Sequence, residues 1–254
     1  VALGVDFPIG LPIDYRRAHP STAEDFPAFL RGLAHQPGFF EVAATLEEVS
    51  GARPFYPARG RAGMTRAAHA AALGLLDAAC LSRACDRATG ERPAGAPLFW
   101  TLGANQTGKA ALHAWRALLI PALCGEQPPK LWPFAGPFLT LLEPGSVAVA
   151  ETYPAEAMRH FDLRLRGSKR RQRDRQTLSA KLLSALESLR AEADLPLRTA
   201  IESGFGADAA GEDRFDSLLG LLCVLNVLAG RRSDRAPDHE PIQRWEGWVL
   251  GQAG

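Results

Sequence analysis

The sequence predicts a mixed α/β protein in which helices dominate the middle. Two short runs rich in Val, Leu and Ala stop at proline: Val1–Val5 ahead of Pro8 and Pro12, and Val147–Ala150 ahead of Pro154. Between and beyond them, apolar residues recur at helical spacing or, over 213–229, on every side. With 254 residues and 46% apolar content the chain can bury a full core, and we expect one domain spanning 1–254. A net charge of +1 excludes a wholly basic nucleic-acid coat. No apolar run is long enough to span a membrane, so no membrane partner is expected.

The elements follow in order. Residues 1–9 form a strand, closed by Pro8 and the Gly10–Pro12 turn. Ser21 and Glu24 have capping-box spacing ahead of Phe26, Phe29, Leu30 and Leu33, which mark a helix. Residues 51–63 lack periodicity and form a loop. Thr65 caps an Ala-rich helix expected to run to about Arg87. Leu98–Leu102 is a short strand, and 106–123 a helix. Phe138–Leu142 and Val147–Glu151 resemble a hairpin about the Pro144-Gly145 turn. A helix begins after Pro154, and a leucine stripe (Leu178, Leu182, Leu183, Leu186, Leu189) predicts another from about Arg171 to Ala193. The apolar 213–229 helix is buried, and Trp245–Leu250 forms an edge strand. The four cysteines lack metal-ligand spacing and are expected to be reduced, buried thiols of a cytoplasmic protein.

The chemistry is carried by acids placed where acids are scarce. Asp6 and Glu151 each end an apolar strand, the edge at which open α/β sheets build sites. Strand alternation puts Asp6 on the side of Ala2 and Gly4, and Glu151 on the side of Val147 and Val149. Asp213 and Asp216 are three apart, hence on one helix face. Were these acids to converge, each pair about 5 Å apart would repel by roughly 3 kcal/mol at an effective dielectric near 20. A Mg²⁺ or Mn²⁺ ion would reverse that sign, and two such ions can support phosphodiester hydrolysis. Simpler roles exist beside this one: Glu212 and Asp213 suit a helix N-terminus, and Asp6 before Phe-Pro can hold a turn.

Five blocks occur in a telling order: Gly4-Val-Asp-Phe-Pro-Ile-Gly-Leu-Pro12, Ala150-Glu-Thr-Tyr-Pro-Ala-Glu156, Gly167-Ser-Lys169, Glu212-Asp-Arg-Phe-Asp-Ser217 and Trp245-Glu-Gly-Trp-Val-Leu-Gly251. As an ordered set they resemble the DUF429 family, predicted nucleases with an RNase H-like fold related in architecture to RuvC-type resolvases. The blocks cover about a quarter of the chain. The resemblance implies an RNase H-like mixed sheet with a large helical insertion over about 20–130. It also implies a metal-dependent nuclease with Asp6, Glu151, Asp213 and Asp216 as catalytic, metal-binding acids. The family pattern carries a further Gly-x-Asp strand ahead of this point, so the sheet as given is expected to lack its first strands and one central acid.

Eight Lys/Arg between Arg159 and Arg175, against Asp162 and Asp174, give that stretch a local charge of about +6. Lys169, Arg170 and Arg173 are the candidates for holding a nucleic-acid backbone, and a solvated charged face is the competing account. Without interleaved aromatic residues, such contact would be sequence-tolerant. Gly103–Lys109 has P-loop spacing, but Ala110 stands where Ser or Thr should hold Mg²⁺, so a nucleotide-binding reading ranks third. The second is a non-catalytic binding module of the same fold with an incomplete acidic site. His160 is expected on a helix surface.

Overall fold

The computed structural model describes residues 1–60, 62–89, 93–103 and 107–254. The chain is mixed α/β, built on a small parallel sheet. In order its elements are β1 (Ala2–Val5), α1 (Ile13–Ala18), α2 (Phe26–Leu33), α3 (Arg66–Ala72), α4 (Thr107–Ala114), α5 (Ile120–Leu123), β2 (Lys130–Leu131) and β3 (Ala148–Glu151). There follow α6 (Pro154–His160), α7 (Gln172–Gln176), α8 (Ser179–Ser188), α9 (Leu195–Glu202) and α10 (Gly211–Leu228). No helix among the described residues is long and apolar enough to cross a membrane.

The sheet order is β1-β3-β2, with β3 central and both pairings parallel. Alternation along β3 sends its side chains into two different cores. Ala148 and Ala150 join Val224 and Val227 of α10, whereas Val149 and the registered Leu131 join the aromatic cluster of the segment between β1 and β2. That cluster gathers Phe26, Phe39, Phe55, Phe99 and Trp115, whose rings meet mostly edge-to-face. A third cluster packs α8 and α9 against α10 through Leu182, Leu186, Ile201, Phe215 and Leu219.

Several expected elements take a different form. The Ala-rich helix capped by Thr65 stops at Ala72. Gly74 adopts φ +67°, and the Leu75 N–H bonds back to the Ala70 carbonyl, which closes a Schellman-type end. Only 3-10 turns follow, over Ala78–Leu81 and Ala84–Asp86, with Arg83 extended between them. Phe138–Leu141 is a 3-10 turn rather than a strand, so the expected hairpin is absent and β3 pairs with β1 and β2 instead. Leu98–Leu102 contributes one bridge, Tyr56 to Trp100. The expected 171–193 helix is interrupted between α7 and α8, where Leu178 N–H bonds to the Arg175 carbonyl. Asp25, not Ser21, caps α2 by accepting from the Ala28 N–H.

Trp245–Leu250 is not a strand. It is a π-helical turn over Ile242–Glu246 followed by Gly247 at φ +65°. Its backbone presses on the turn after β1. A Cβ on Gly10 would lie 1.8 Å from the Glu246 carbonyl oxygen, and one on Gly247 would lie 2.0 Å from that of Ile9. The Leu11 N–H donates to the Trp245 carbonyl at 2.7 Å, and Glu246 accepts from the N–H groups of Ile13 and Ala84. The Ile-Gly-Leu-Pro and Trp-Glu-Gly blocks are thus two halves of one backbone clasp. Gly10→Ala is expected to cost about 3 kcal/mol in chemical denaturation. Gly32→Ala, on open helix surface, should stabilise by about 0.5–1 kcal/mol. Equal effects at the two sites would refute the clasp.

Candidate functional site

Strand ends and one helix start enclose a cleft of about 540 Å³. Asp6 reaches it from the end of β1 and Glu151 from the end of β3. Asp213 and Asp216 come from the first turns of α10, which packs along β1. Thr107 and Ala110 of α4 also line the cleft. All four sequence-predicted acids therefore lie in one cleft. Asp86 and Glu212 join them, making, among the described residues, six carboxylates against two cationic side chains, Arg83 and Lys169.

The sheet divides these charges into two groups. Val5 and Glu151 are in register, so Glu151 faces the β1–β2 segment along with Val149. There Arg83, fully buried, fills its donors. Nη1 and Nη2 bond both Glu151 oxygens at 2.6 and 2.7 Å, and Nε and Nη2 bond both Asp86 oxygens at 2.8 and 3.1 Å. Glu151 Oε2 also accepts the Ile9 N–H at 2.8 Å, which fastens the turn that follows Asp6. Burial raises the Glu151 carboxyl above its ordinary value, and Arg83 opposes that rise.

Asp6 stands with the α10 acids. Lys169 Nζ bonds both oxygens of Asp216, at 2.8 and 2.5 Å. Burial, then the Asp216 charge, push the Asp6 carboxyl up to about 7, and Lys169 only partly offsets this. Burial likewise raises Asp216, against the pull of Lys169. Among the described residues neither the Asp6 nor the Asp213 carboxylate makes a hydrogen bond or salt bridge; the Asp213 carbonyl accepts from the Ser217 hydroxyl. As placed, no three Asp, Glu, His or Cys side chains among the described residues are close enough to hold one ion together. Yet the donor chemistry fits a hard divalent cation: oxygen ligands only, two carboxylates with free lone pairs, and a third paired to a single ammonium.

Lys169 is aimed by the loop that carries it. The buried Arg175 donates to the carbonyls of Lys169, Gly204 and Gly206, tying the loop to the turn before α10. Asp174 accepts the Ser168 N–H at 2.9 Å. Arg170 and Arg173, expected on a nucleic-acid backbone beside Lys169, project into solvent with 75% and 77% of their side chains exposed; Lys169 itself turns inward. Arg170 is 3.8 Å from Glu212 at the cleft's rim.

Other expected features take structural roles. The P-loop-like segment falls partly on 104–106, outside the described residues. Its Gly108 lets α4 approach the Leu98–Trp100 backbone, since a Cβ would meet the Trp100 carbonyl oxygen at 2.5 Å. His160 is not on the surface: its ring is buried 3.5 Å from Glu156. The four cysteines are free, with Cys85 and Cys223 buried, Cys80 half-buried and Cys124 exposed. Cys85 lines the cleft, but burial holds its thiol well above the ordinary range, so it stays protonated.

Sequence reasoning missed Arg83 and Asp86. Gly74, a stop inside an apparent helix, is the signal that frees the chain to place them. Arg83→Met is expected to cost about 3–5 kcal/mol in denaturant titrations, because it strands buried carboxylates without a partner. A loss under about 1 kcal/mol would deny the network that weight. Asp6, raised to about 7, destabilises the fold when ionised; the cost is full above that pH and fades as pH falls toward the ordinary carboxylate value. With chelator present, Asp6→Asn should therefore raise Tm near pH 8 and leave it unchanged near pH 4, as read by circular dichroism. A gain independent of pH would contradict the assignment.

Compared with protein-family models, with curated proteins and with solved structures, the chain matches none of them.

Proposed function

We propose that the cleft binds a divalent cation, Mg²⁺ or Mn²⁺, and that the protein is a nuclease hydrolysing phosphodiester bonds in nucleic acid on an RNase H-like framework. One observation carries this reading: acids distant in sequence, at 6, 213 and 216, line one cleft at the C-terminal end of a parallel sheet, with an excess of negative charge that a bound cation would offset. The order β1-β3-β2, with acids ending both adjacent long strands and a helix laid on β1 bringing two more, supports the RNase H-like framework.

Asp6, Asp213 and Asp216 would hold the cation, because the oxygens of Glu151 are engaged by Arg83 and Ile9. A bound cation supplies Lewis-acid neutralisation of phosphate charge and a lowered pKa for attacking water. The chain's own residues do the rest. Glu151 holds the Phe7–Ile9 turn and with it the position of Asp6. Lys169 carries a positive charge into the cleft. The exposed Arg170, which reaches Glu212 of the cleft lining, and Arg173 would offer basic groups to a phosphate backbone without base selection. The first turn of α4, which also lines the cleft, would add a favourable dipole for an anion.

A second reading draws support from the internal pairing of Glu151 and Asp216: a binding module of the same framework, without catalysis, whose acids are neutralised by its own cations. Metal dependence separates the two. Wild-type protein is expected to cleave single- or double-stranded nucleic acid with Mn²⁺ and not with EDTA. Asp216→Asn should lower that rate by at least about 100-fold, the upper end for residues that merely orient a ligand, with an unchanged melting curve. Undiminished cleavage by the variant would eliminate Asp216 as a ligand, and no cleavage by either protein would favour the binding module.

A further inference from the structure

The sheet is paired along only one side of β1. Among the described residues the strand order is β1-β3-β2, which leaves β1 at an edge. The Ala148 N–H donates to the Val1 carbonyl and the Thr152 N–H to the Val5 carbonyl, so the register commits Leu3 and Val5 to β3. The N–H and C=O groups of Ala2 and Gly4 therefore point the other way, where no described strand takes them up. Edge strands are usually guarded by charge, proline or a bulge, and Ala2–Val5 has none of these. Leu3 stands at the middle of this edge with 45% of its surface exposed.

The helix laid on β1 leaves an apolar flank over the same edge. Val224 and Gly220 of α10 face the sheet: a Cβ on Gly4 would lie 2.9 Å from Val224 Cγ2, and one on Gly220 would lie 3.0 Å from Thr152 Oγ1. Cys223 and Asn226 turn to α6, which continues from β3, through the Tyr153 carbonyl and His160. Phe215, Leu219 and Leu222 join the cluster of α8 and α9. The remaining flank, away from α6 and above the open edge, carries Ser217, Leu221 and Leu228 at helical spacing. Leu221 is 43% exposed and Leu228 41%.

We propose that this strip is the interface of a two-fold homodimer in which β1 pairs antiparallel with β1 of a second copy. The occupant is a second copy because one axis through Leu3 satisfies both features at once. Ala2 and Gly4 exchange their free N–H and C=O groups with Gly4 and Ala2 across the axis, and the two Leu3 side chains meet as the non-hydrogen-bonded pair. Because α10 lies between β1 and β3, it sits one strand spacing from the axis. The two α10 helices then run about 10 Å apart on one face of a continuous sheet, the separation at which helices pack, with their leucine flanks toward each other. The proposal does not depend on the metal reading, since the two clefts open at opposite ends of the joined strands.

Analytical ultracentrifugation and disulfide trapping on the full chain test it. The wild type is expected to pass from monomer to dimer with a midpoint of about 10 µM, in keeping with a small interface. Leu3→Lys, which sets like charges opposite each other at an already exposed position, should stay monomeric to at least about 10-fold higher concentration, with an unchanged circular dichroism spectrum. With the exposed Cys124 replaced by Ser, Leu3→Cys should form a covalent dimer in oxidised glutathione, because the non-hydrogen-bonded pair brings Cα atoms to about 4.5 Å, within disulfide range. Leu118→Cys, at least as exposed but on the segment between β1 and β2, should not. A wild-type chain that stays monomeric at all concentrations would overturn the proposal and leave the edge to a strand of another protein. A dimer that Leu3→Lys leaves intact and Leu3→Cys does not trap would put the interface elsewhere and overturn it equally.

Discussion

The buried Arg83 guanidinium is the interaction on which the rest of the cleft depends. It comes from the long segment between β1 and β2, yet its partner Glu151 ends the central strand of the sheet. A carboxylate at that position, almost without solvent, is tolerable only with a matched cation. The pairing therefore couples two parts of the fold that otherwise meet through apolar contacts such as Val149 against the aromatic cluster. The aromatic cluster supplies apolar burial for the β1–β2 segment, but it is non-directional. Arg83 sets the register in which that segment meets the strand ends, because a bidentate fork tolerates little rotation. Its cost is specificity of charge: Glu151 is a structural anchor for the turn bearing Asp6.

On the other face of the sheet the electrostatics are left unfinished. Asp6, Asp213 and Asp216 line one half of the cleft, with a lysine about one-third exposed paired to Asp216. Burial and mutual repulsion raise Asp6 to about 7, so that near neutral pH it is poised between its protonated and ionised forms. Strand alternation is the physical origin of this asymmetry. Glu151 points toward the segment that brings arginine, while Gly4 and Ala150 face α10 and allow it to approach with its acids. One sheet edge thus offers a closed, neutralised half and an open, charge-rich half within a single cleft.

How much of this was legible in the sequence follows from which signals are local. Asp6, Glu151, Asp213 and Asp216 stood out because each breaks an apolar pattern at its end, and the four do share a cleft. The 213–229 helix and the strand at 1–5 were readable from apolar content alone. Arg83 was invisible: an arginine in an Ala-rich run matches a solvated helix face, and only Gly74 marked the place where that helix had to stop. The inward turn of Lys169 was hidden for a related reason. In a run of eight basic residues each reads as surface, and what singles one out is the Arg175 clamp on its carbonyl, a contact with the turn at Gly204 and Gly206. The parallel pairing of β3 was missed because Pro144-Gly145 imitates a hairpin turn. Phe138–Leu141 instead spends its backbone groups on a 3-10 turn and on Asp234.

The C-terminal clasp explains why a site of this kind needs the whole chain. Asp6 lies beyond the last residue of β1, so the strand ladder alone does not fix it. What fixes it is the turn from Phe7 to Leu11, held from one side by Glu151 through the Ile9 N–H and from the other by the Trp245–Gly247 backbone through Leu11 and the Gly10 contact. Glu246, nearly without solvent, then spans the N–H groups of Ile13 and of Ala84, the residue next to Arg83. The same short segment therefore positions both the acid that would bind a cation and the arginine paired to Glu151. Loosening it would not merely fray a terminus; it would uncouple Asp6 from Glu151 and return Arg83 to water. The geometry of the cleft is a property of contacts more than two hundred residues apart, for which the two glycines, by admitting backbone against backbone, are the precondition.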